Sequence, residues 1–338
     1  DPRLGDDDDF DHLLQAAHAR GLSVLLDGVV NHVSRRNRIV QDAQSAGPDS
    51  DAGRMVRWCE GHLDVFEGHS DLVALNHDNP AVREHVTRIM NYWCGRGVDG
   101  WRLDAAYSVN PEFWAAVLPP VREKRPDVWI FGEVIHGDYA GIVRASGMDS
   151  VTQYELWKGI WSSIESRNFF ELDHALGRHN EFSDVFTPVT FVGNHDVTRI
   201  ASRVGQDGAV LATAILATIG GIPLIYYGDE LASRGVKEER FGGDDDIRPV
   251  FPASPADLSN LGADTLRAHQ NLLGLRRRHP WLVDARTESL DLTNERYVYR
   301  TGVPGVEPLI VELDVRDGCS VLILSLIHIS EPTRLLSI

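Results

Sequence analysis

The chain has 338 residues, 43% hydrophobic and 25% charged, which suits one large α/β domain with a smaller appendage and argues against wholesale disorder. Its formal net charge of −17 leaves no surplus of Lys and Arg to neutralise phosphates, so a nucleic-acid or anionic-membrane partner is disfavoured and a neutral substrate fits better. Cys59, Cys94 and Cys319 are odd in number and widely spaced, which points to no disulfide framework, no zinc site and a reduced, cytoplasmic setting.

In chain order, a helix is expected over 10–20, leading directly into a strand at 23–27. Such an opening, with neither Met nor a signal peptide, reads as the middle of a domain. Residues 34–79 break the rhythm, being rich in Asp, Gly, Ser and Arg, and read as a short inserted loop domain. Helices then follow at 81–96, 111–124, 155–168, 208–219 and 264–278, with Pro80 and Pro111 placed where helices begin. Between them fall strands at 98–104, 128–134, 150–154, 189–196 and 222–228. This alternation is the pattern of a parallel sheet with crossover helices.

The fold class expected is therefore α/β, a (β/α)8 TIM barrel that is incomplete, with about strands 3 to 8 present over 1–279. The apolar run 209–228 approaches the length of a membrane span, but Gly220-Gly221 and Pro223 divide it into a buried helix, a turn and a strand. Beyond Arg278 the period changes to two, as in Arg296-Tyr297-Val298-Tyr299-Arg300, so 280–323 is expected to start a C-terminal β domain. The string LSLIHISEPTR from Leu324 resembles the translation of a transposon adapter used in sequencing libraries, and 324–338 is expected to be a non-native tail. The short acidic runs at 6–9 and 244–246 read as caps or solvated loops.

The stretch GVDGWRLDAA, residues 97–106, carries the first chemical hint. On a strand, Gly100, Arg102 and Asp104 face one way while Trp101 and Leu103 face the other. Arg102 and Asp104 are then either a solvated pair of little energetic value or a carboxylate delivered into a site beside the guanidinium that keeps it ionised. Three other strand ends are also polar: Asp27 with Asn31 and His32; Glu133; and Asn194, His195 and Asp196. Each alone could be a cap or turn. Together, without a Ser or Cys nucleophile, they offer two chemistries that residue types leave about equal. One is a divalent metal on Asp27, His32, Asp104, Glu133 and His195; the other is a pair of carboxylates flanking a glycosidic bond. Purely structural strand ends remain a third reading.

Four blocks in order, DGVVNH (27–32), GWRLDAA (100–106), FGEV (131–134) and FVGNHD (191–196), resemble the motif regions of the α-amylase family of glycoside hydrolases. DPRLG at the start, LVALNHDNPAV (72–82) and GIPLIYYGDE (221–230) extend the resemblance to about Leu275. It implies that Asp104 is the nucleophile, Glu133 the general acid/base and Asp196 the carboxylate that grips sugar hydroxyls. It further implies that Arg102 holds Asp104 ionised, that His32 and His195 bind hydroxyls of one sugar ring, and that Asp27 supports them. Asn31 occupies a position that binds calcium in many members, while no other cofactor is implied. The proton donor must stay protonated, which suits Glu133, set between Phe131 and Val134 with no adjacent base but His136.

Departures from the family pattern narrow the expectation. Tyr107-Ser108 stand where many members carry Lys-His, which weakens both the calcium reading and a plain starch endo-hydrolase. The short insertion, and VIH after Glu133, favour an enzyme for small α-linked gluco-oligosaccharides or cyclomaltodextrins. The alternatives are a transglycosidase or glucosyl-isomerising enzyme on the same site, and a catalytically silent binding relative. Trp58 and Phe66 on the insertion stand about even between sugar platforms and local packing, whereas Trp101 is expected in the core.

Overall fold

The structure, a computed structural model, describes residues 3–240, 242–258 and 262–325. The expected tail thus lies outside the described residues beyond Ser325, as do Asp1 and Pro2 of the opening block. The chain divides into two compact units, Asp1–Val151 and Thr152–Ile338.

In the first unit, α1 (Asp7–His18) leads to β1 (Leu25–Gly28), β2 (His32–Ser34) and α2 (Arg38–Ala46). The short strands β3 (Trp58–Cys59), β4 (His62–Leu63) and β5 (Leu72–Ala74) come next. Then α3 (Pro80–Gly95), β6 (Gly100–Leu103), α4 (Pro111–Lys124), β7 (Trp129–Gly132), α5 (Tyr139–Ser146) and β8 (Ser150–Val151) follow. Strands β1, β6, β7 and β8 pair in that order as a parallel sheet. The acidic run starting at Asp6 is a capping box: Asp6 accepts from the amides of Asp8 and Asp9, each at 3.0 Å, and its own N–H donates to Asp9.

One carboxylate, Asp99, pins the start of the sheet. Asp99 Oδ2 accepts from Val24 N at 2.8 Å and meets His18 Nε2 at 2.8 Å, while Arg125 reaches Oδ1 at 3.2 Å. Burial works against its charge, but those donors outweigh it and hold the Asp99 carboxyl below its usual range. Trp101 points the other way, 3% exposed, with its Nε1 donating to Cys94 Sγ at 3.4 Å, which places it in the helix-facing core as expected.

In the second unit, α6 (Tyr154–Ser166) and α7 (Phe169–Ser183) precede β9 (Val189–Phe191), α8 (Ile200–Thr218) and β10 (Ile222–Leu224). After α9 (Ala263–Arg278), four strands pair in sequence order: β11 (Arg286–Leu292), β12 (Arg296–Gly302), β13 (Leu309–Asp314) and β14 (Ser320–Ser325). β9 and β10 are parallel, and β11 to β14 are antiparallel. Leu324 and Ser325, expected in the tail, close β14 opposite Ile310 and Leu309. The apolar run at 209–218 is the part of α8 buried on every side, as an all-round apolar helix must be. Among the described residues, no helix is long and apolar enough to cross a membrane.

All the expected parallel strands form, but each is shorter, because the chain leaves the ladder once its polar end is presented. Tyr154, expected at a strand end, instead opens α6, where the Gln153 side chain accepts from the amides of Glu155 and Leu156. Helices α2, α5 and α7 were not anticipated. In α7 the 3.6-residue period is carried partly by His179, which is fully buried with Nε2 donating to Gly220 O at 3.2 Å. Burial lowers its pKa to about 4, so this histidine behaves as a neutral core residue.

A buried ion pair fixes the chain after β10. Arg199 donates through Nε to Ile247 O at 3.0 Å, and through Nη1 to Tyr227 O at 2.6 Å and Asp229 Oδ1 at 3.1 Å. Burial pushes the Asp229 carboxyl from 3.8 up to about 6 against the pull of Arg199. A carboxyl that binds its proton more tightly folded than unfolded makes the fold less stable as pH rises through that window. Asp229→Ala is expected to cost about 3–5 kcal/mol in urea unfolding, by leaving Arg199 buried without its carboxylate. Asp229→Asn is expected to remove the loss of stability between pH 4 and 6. A wild-type stability that stays flat over that window would contradict the assignment.

Candidate active site

The parallel register sets Asp27 beside Arg102, and Arg102 beside Phe131. The ladder continues one bond further, from Asp104 N to Gly28 O at 3.2 Å and from Glu133 N to Leu103 O at 2.8 Å, so both carboxylates leave the sheet at the same end. Gly132 is required just before Glu133, since a Cβ there would lie 2.7 Å from Met148 Sδ and 2.9 Å from Ala106 Cβ.

One guanidinium organises the cluster. Arg102 Nη1 donates to both Asp27 oxygens at 2.9 Å and to Asp104 Oδ1 at 2.7 Å, while Nη2 lies 3.0 Å from Glu133 Oε2. Burial alone would draw the Arg102 pKa down, but the charges of Glu133, Asp27 and Asp104 outweigh it and raise it above the usual arginine value. Glu133 is 6% exposed, and its Oε2 also accepts from Ala105 N at 3.0 Å. Ala105 supplies that N–H from a strained left-handed conformation, φ 44°. In sequence His136 is the one basic residue near Glu133, and the structure adds Arg102. Arg102 lies on the adjacent strand rather than next in sequence, and linear neighbours cannot reveal it.

The insertion turns back on this cluster. β2 pairs with β5, His32 opposite Ala74, so the segment leaves and returns beside His32. His32 is 7% exposed, and the Phe66 ring stacks on it at 4.7 Å with 15° between planes. Burial lowers the His32 pKa, only partly opposed by Asp104 and Glu67, so the ring is neutral near pH 7. Phe66 packs on His32, and Trp58 Nε1 donates to Gly53 O at 2.8 Å. Glu67 holds φ 48°, and its Oε1 accepts from Tyr107 OH at 2.7 Å. Tyr107 N in turn donates to Glu133 O at 3.3 Å, and its ring lies 5.5 Å from that of His136. Sequence reasoning missed Glu67, because nothing in its spacing distinguishes it from other acidic loop residues.

Asn31 is 1% exposed, with Oδ1 buried and lacking a hydrogen-bond partner. Among the described residues, no group of three or more His, Cys, Asp or Glu side chains is placed to hold a metal ion. The five-residue set offered for a divalent metal is thus not assembled among the described residues.

In the second unit, Asn194, His195 and Asp196 follow β9. Asp196 N donates to Asn194 Oδ1 at 2.9 Å, and Asn194 Nδ2 donates to Tyr154 OH at 2.7 Å, which fixes the turn. Asp196 Oδ2 lies 3.1 Å from His195 Nε2, and Oδ1 accepts from Arg248 Nη2 at 2.9 Å. Arg248 also donates to His195 O at 2.9 Å and pairs with Asp244 at 3.0 Å. Arg248 is the other residue the sequence did not single out; part of the acidic run at 244–246 serves to anchor it.

The catalytic-domain model of the α-amylase family matches residues 1–63 and 61–287. Alpha-amylase 3 of Dictyoglomus thermophilum is 30% identical over 268 residues, covering 71% of this chain and 53% of that protein. The maltogenic alpha-amylase of Bacillus acidopullulyticus is 29% identical over 303 residues, covering 84% of this chain and 50% of its own. The chain thus spans about half the length of the curated relatives it matches. Among solved structures, the native debranching enzyme of Nostoc punctiforme superposes with a TM-score of 0.78 at 27% identity, covering 93% of this chain and 69% of that one. These similarities imply a (β/α)8 barrel with a C-terminal β domain.

Proposed function

The chain belongs to the α-amylase family of glycoside hydrolases, and from that premise we propose that it cleaves α-glucosidic bonds of short gluco-oligosaccharides by a retaining mechanism. On this reading its parallel strands are the third to eighth of the barrel. The observation that carries the proposal is the Arg102 guanidinium shared by Asp27, Asp104 and Glu133.

Asp104 attacks the anomeric carbon as a carboxylate, with its charge secured by Arg102. Glu133, held through Oε2 by Ala105 N and facing Arg102, gives its proton to the leaving oxygen. After the first product departs, the same carboxylate takes a proton from the water that releases the sugar from Asp104. Carboxyl groups about 5 Å apart leave no room for direct attack by water, and that separation is expected for Asp104 and Glu133. Asp196, His195 and His32 keep the hydroxyl-binding roles that the motifs imply. NMR of the anomer first released from an α-maltoside tests the reading: α-product supports it, and β-product overturns it.

A preference for short substrates rests on the Tyr107–Glu67 hydrogen bond, which ties the insertion to the loop that follows the nucleophile. Tyr107→Phe is expected to shift the ratio of kcat/KM for maltotriose over maltoheptaose on the order of tenfold toward the longer sugar. Equal changes for both would sink this account of specificity. The reaction is proposed to need no cofactor, so dialysis against EDTA is expected to leave kcat/KM unchanged. A loss restored by calcium would contradict that part of the proposal.

A further inference from the structure

On α3, positions 83, 87 and 91 and their neighbours 84, 88 and 92 recur every four residues and form one helix face. Opposite it on α4 stand Ala116 and Pro120, whose small side chains leave a groove of about 580 Å³. That volume lies within the range of small-molecule sites. None of its lining residues belongs to the carboxylate cluster around Arg102.

The groove is cationic in a chain whose net charge is −17. The side chains of Arg83 and Lys124, which both line it, have no hydrogen-bond or ion-pair partner among the described residues. Arg88 bonds only His85 Nδ1, at 2.9 Å. Burial and then the charge of Arg88 lower the His85 pKa, so that ring accepts the bond without neutralising the guanidinium. By contrast, nearby Arg96 is matched by Asp7 and Asp11, and Arg122 by Asp149. Glu84 is the one carboxylate on the groove wall.

The groove also offers groups suited to a hydroxylated ring. Asn91 and Arg83 line the groove, and beneath its wall Asn91 Oδ1 and Arg83 Nε are buried without partners. Pro119 and Pro120 have no N–H to give the carbonyls of Ala115 and Ala116. Tyr92 is 54% exposed, and its ring is held edge-on to Trp93 at 5.2 Å with the hydroxyl accepting from Arg96 at 3.3 Å.

We propose that this groove is a second ligand site that binds the phosphate monoester of a sugar. Arg83, Arg88 and Lys124 take the phosphate, the Asn91 side-chain amide meets a ring hydroxyl, and Tyr92 offers the face on which the sugar lies. The cations distinguish this ligand from a neutral oligosaccharide, and the Asn91–Tyr92 side distinguishes it from inorganic phosphate.

Calorimetric titration of the whole chain with glucose 6-phosphate, inorganic phosphate and glucose tests the assignment. Glucose 6-phosphate is expected to bind more tightly than either of the others, with affinity falling as salt rises. The Arg83→Gln/Lys124→Gln double variant is expected to weaken it tenfold or more, at an unchanged unfolding midpoint. Tyr92→Ala is expected to weaken the sugar phosphate while leaving inorganic phosphate unaffected. Slowed hydrogen exchange over residues 83–92 on adding glucose 6-phosphate locates the ligand without any substitution. Binding no tighter than inorganic phosphate, or unaffected by the double variant, overturns the proposal, as does protection confined to other segments.

Discussion

Arg102→Met is expected to abolish turnover and to cost about 3–5 kcal/mol of stability, because it leaves Asp104 and Glu133, two largely buried carboxylates, facing Asp27 without a cation. The pH dependence identifies the cause. Wild-type Arg102 has a raised pKa, so its contribution is fully present at every pH below the ordinary arginine value and adds no slope in the working range. In the variant, crowded carboxylates bind protons more readily when folded than when unfolded, so the deficit is largest near neutrality and shrinks on acidification. Urea unfolding at pH 7 and pH 5 measures it. Arg102→Lys is expected to rescue little, since an ammonium cannot reproduce a fork that reaches Asp27, Asp104 and Glu133 together. A lysine variant with wild-type activity would show that the shared guanidinium is not the organising element.

The second large effect separates the two carboxylates by role. Asp104→Asn is expected to lower kcat by about 10⁴-fold or more for every substrate, because no nucleophile remains. Its stability should change little, since the amide oxygen still accepts from Arg102. Glu133→Gln is expected to lower kcat about 10²- to 10⁴-fold on maltotriose, and much less on an α-glucosyl fluoride, whose leaving group departs without a proton. If both variants lose the same factor on both substrates, the assignment of nucleophile and proton donor is wrong.

Much of this was legible in the sequence because the strand period is two. Gly100, Arg102 and Asp104 had to share a face, and the apolar phase carried by Trp101 had to be core. What period alone could not supply was adjacency between strands. Arg102 touches Glu133 because β6 and β7 are parallel and in register, a relation between residues distant in sequence. Glu67 and Arg248 were missed for a related reason: each lies in irregular chain and acquires its role only from what it meets, Tyr107 for one and Asp196 for the other. Helix α7 escaped notice because a buried histidine occupies a position where an apolar residue would have shown the period. Asp99 illustrates the opposite limit, since its sequence context resembles that of Asp104 while its role is to pin the start of β6.

The most direct test of the central claim is to incubate the Glu133→Gln variant with a 5-fluoro-α-glucosyl fluoride and map the modified peptide by mass spectrometry. A retaining mechanism predicts one glucosyl adduct, carried by Asp104. An adduct on another residue, or none under conditions in which fluoride is released, would contradict the account.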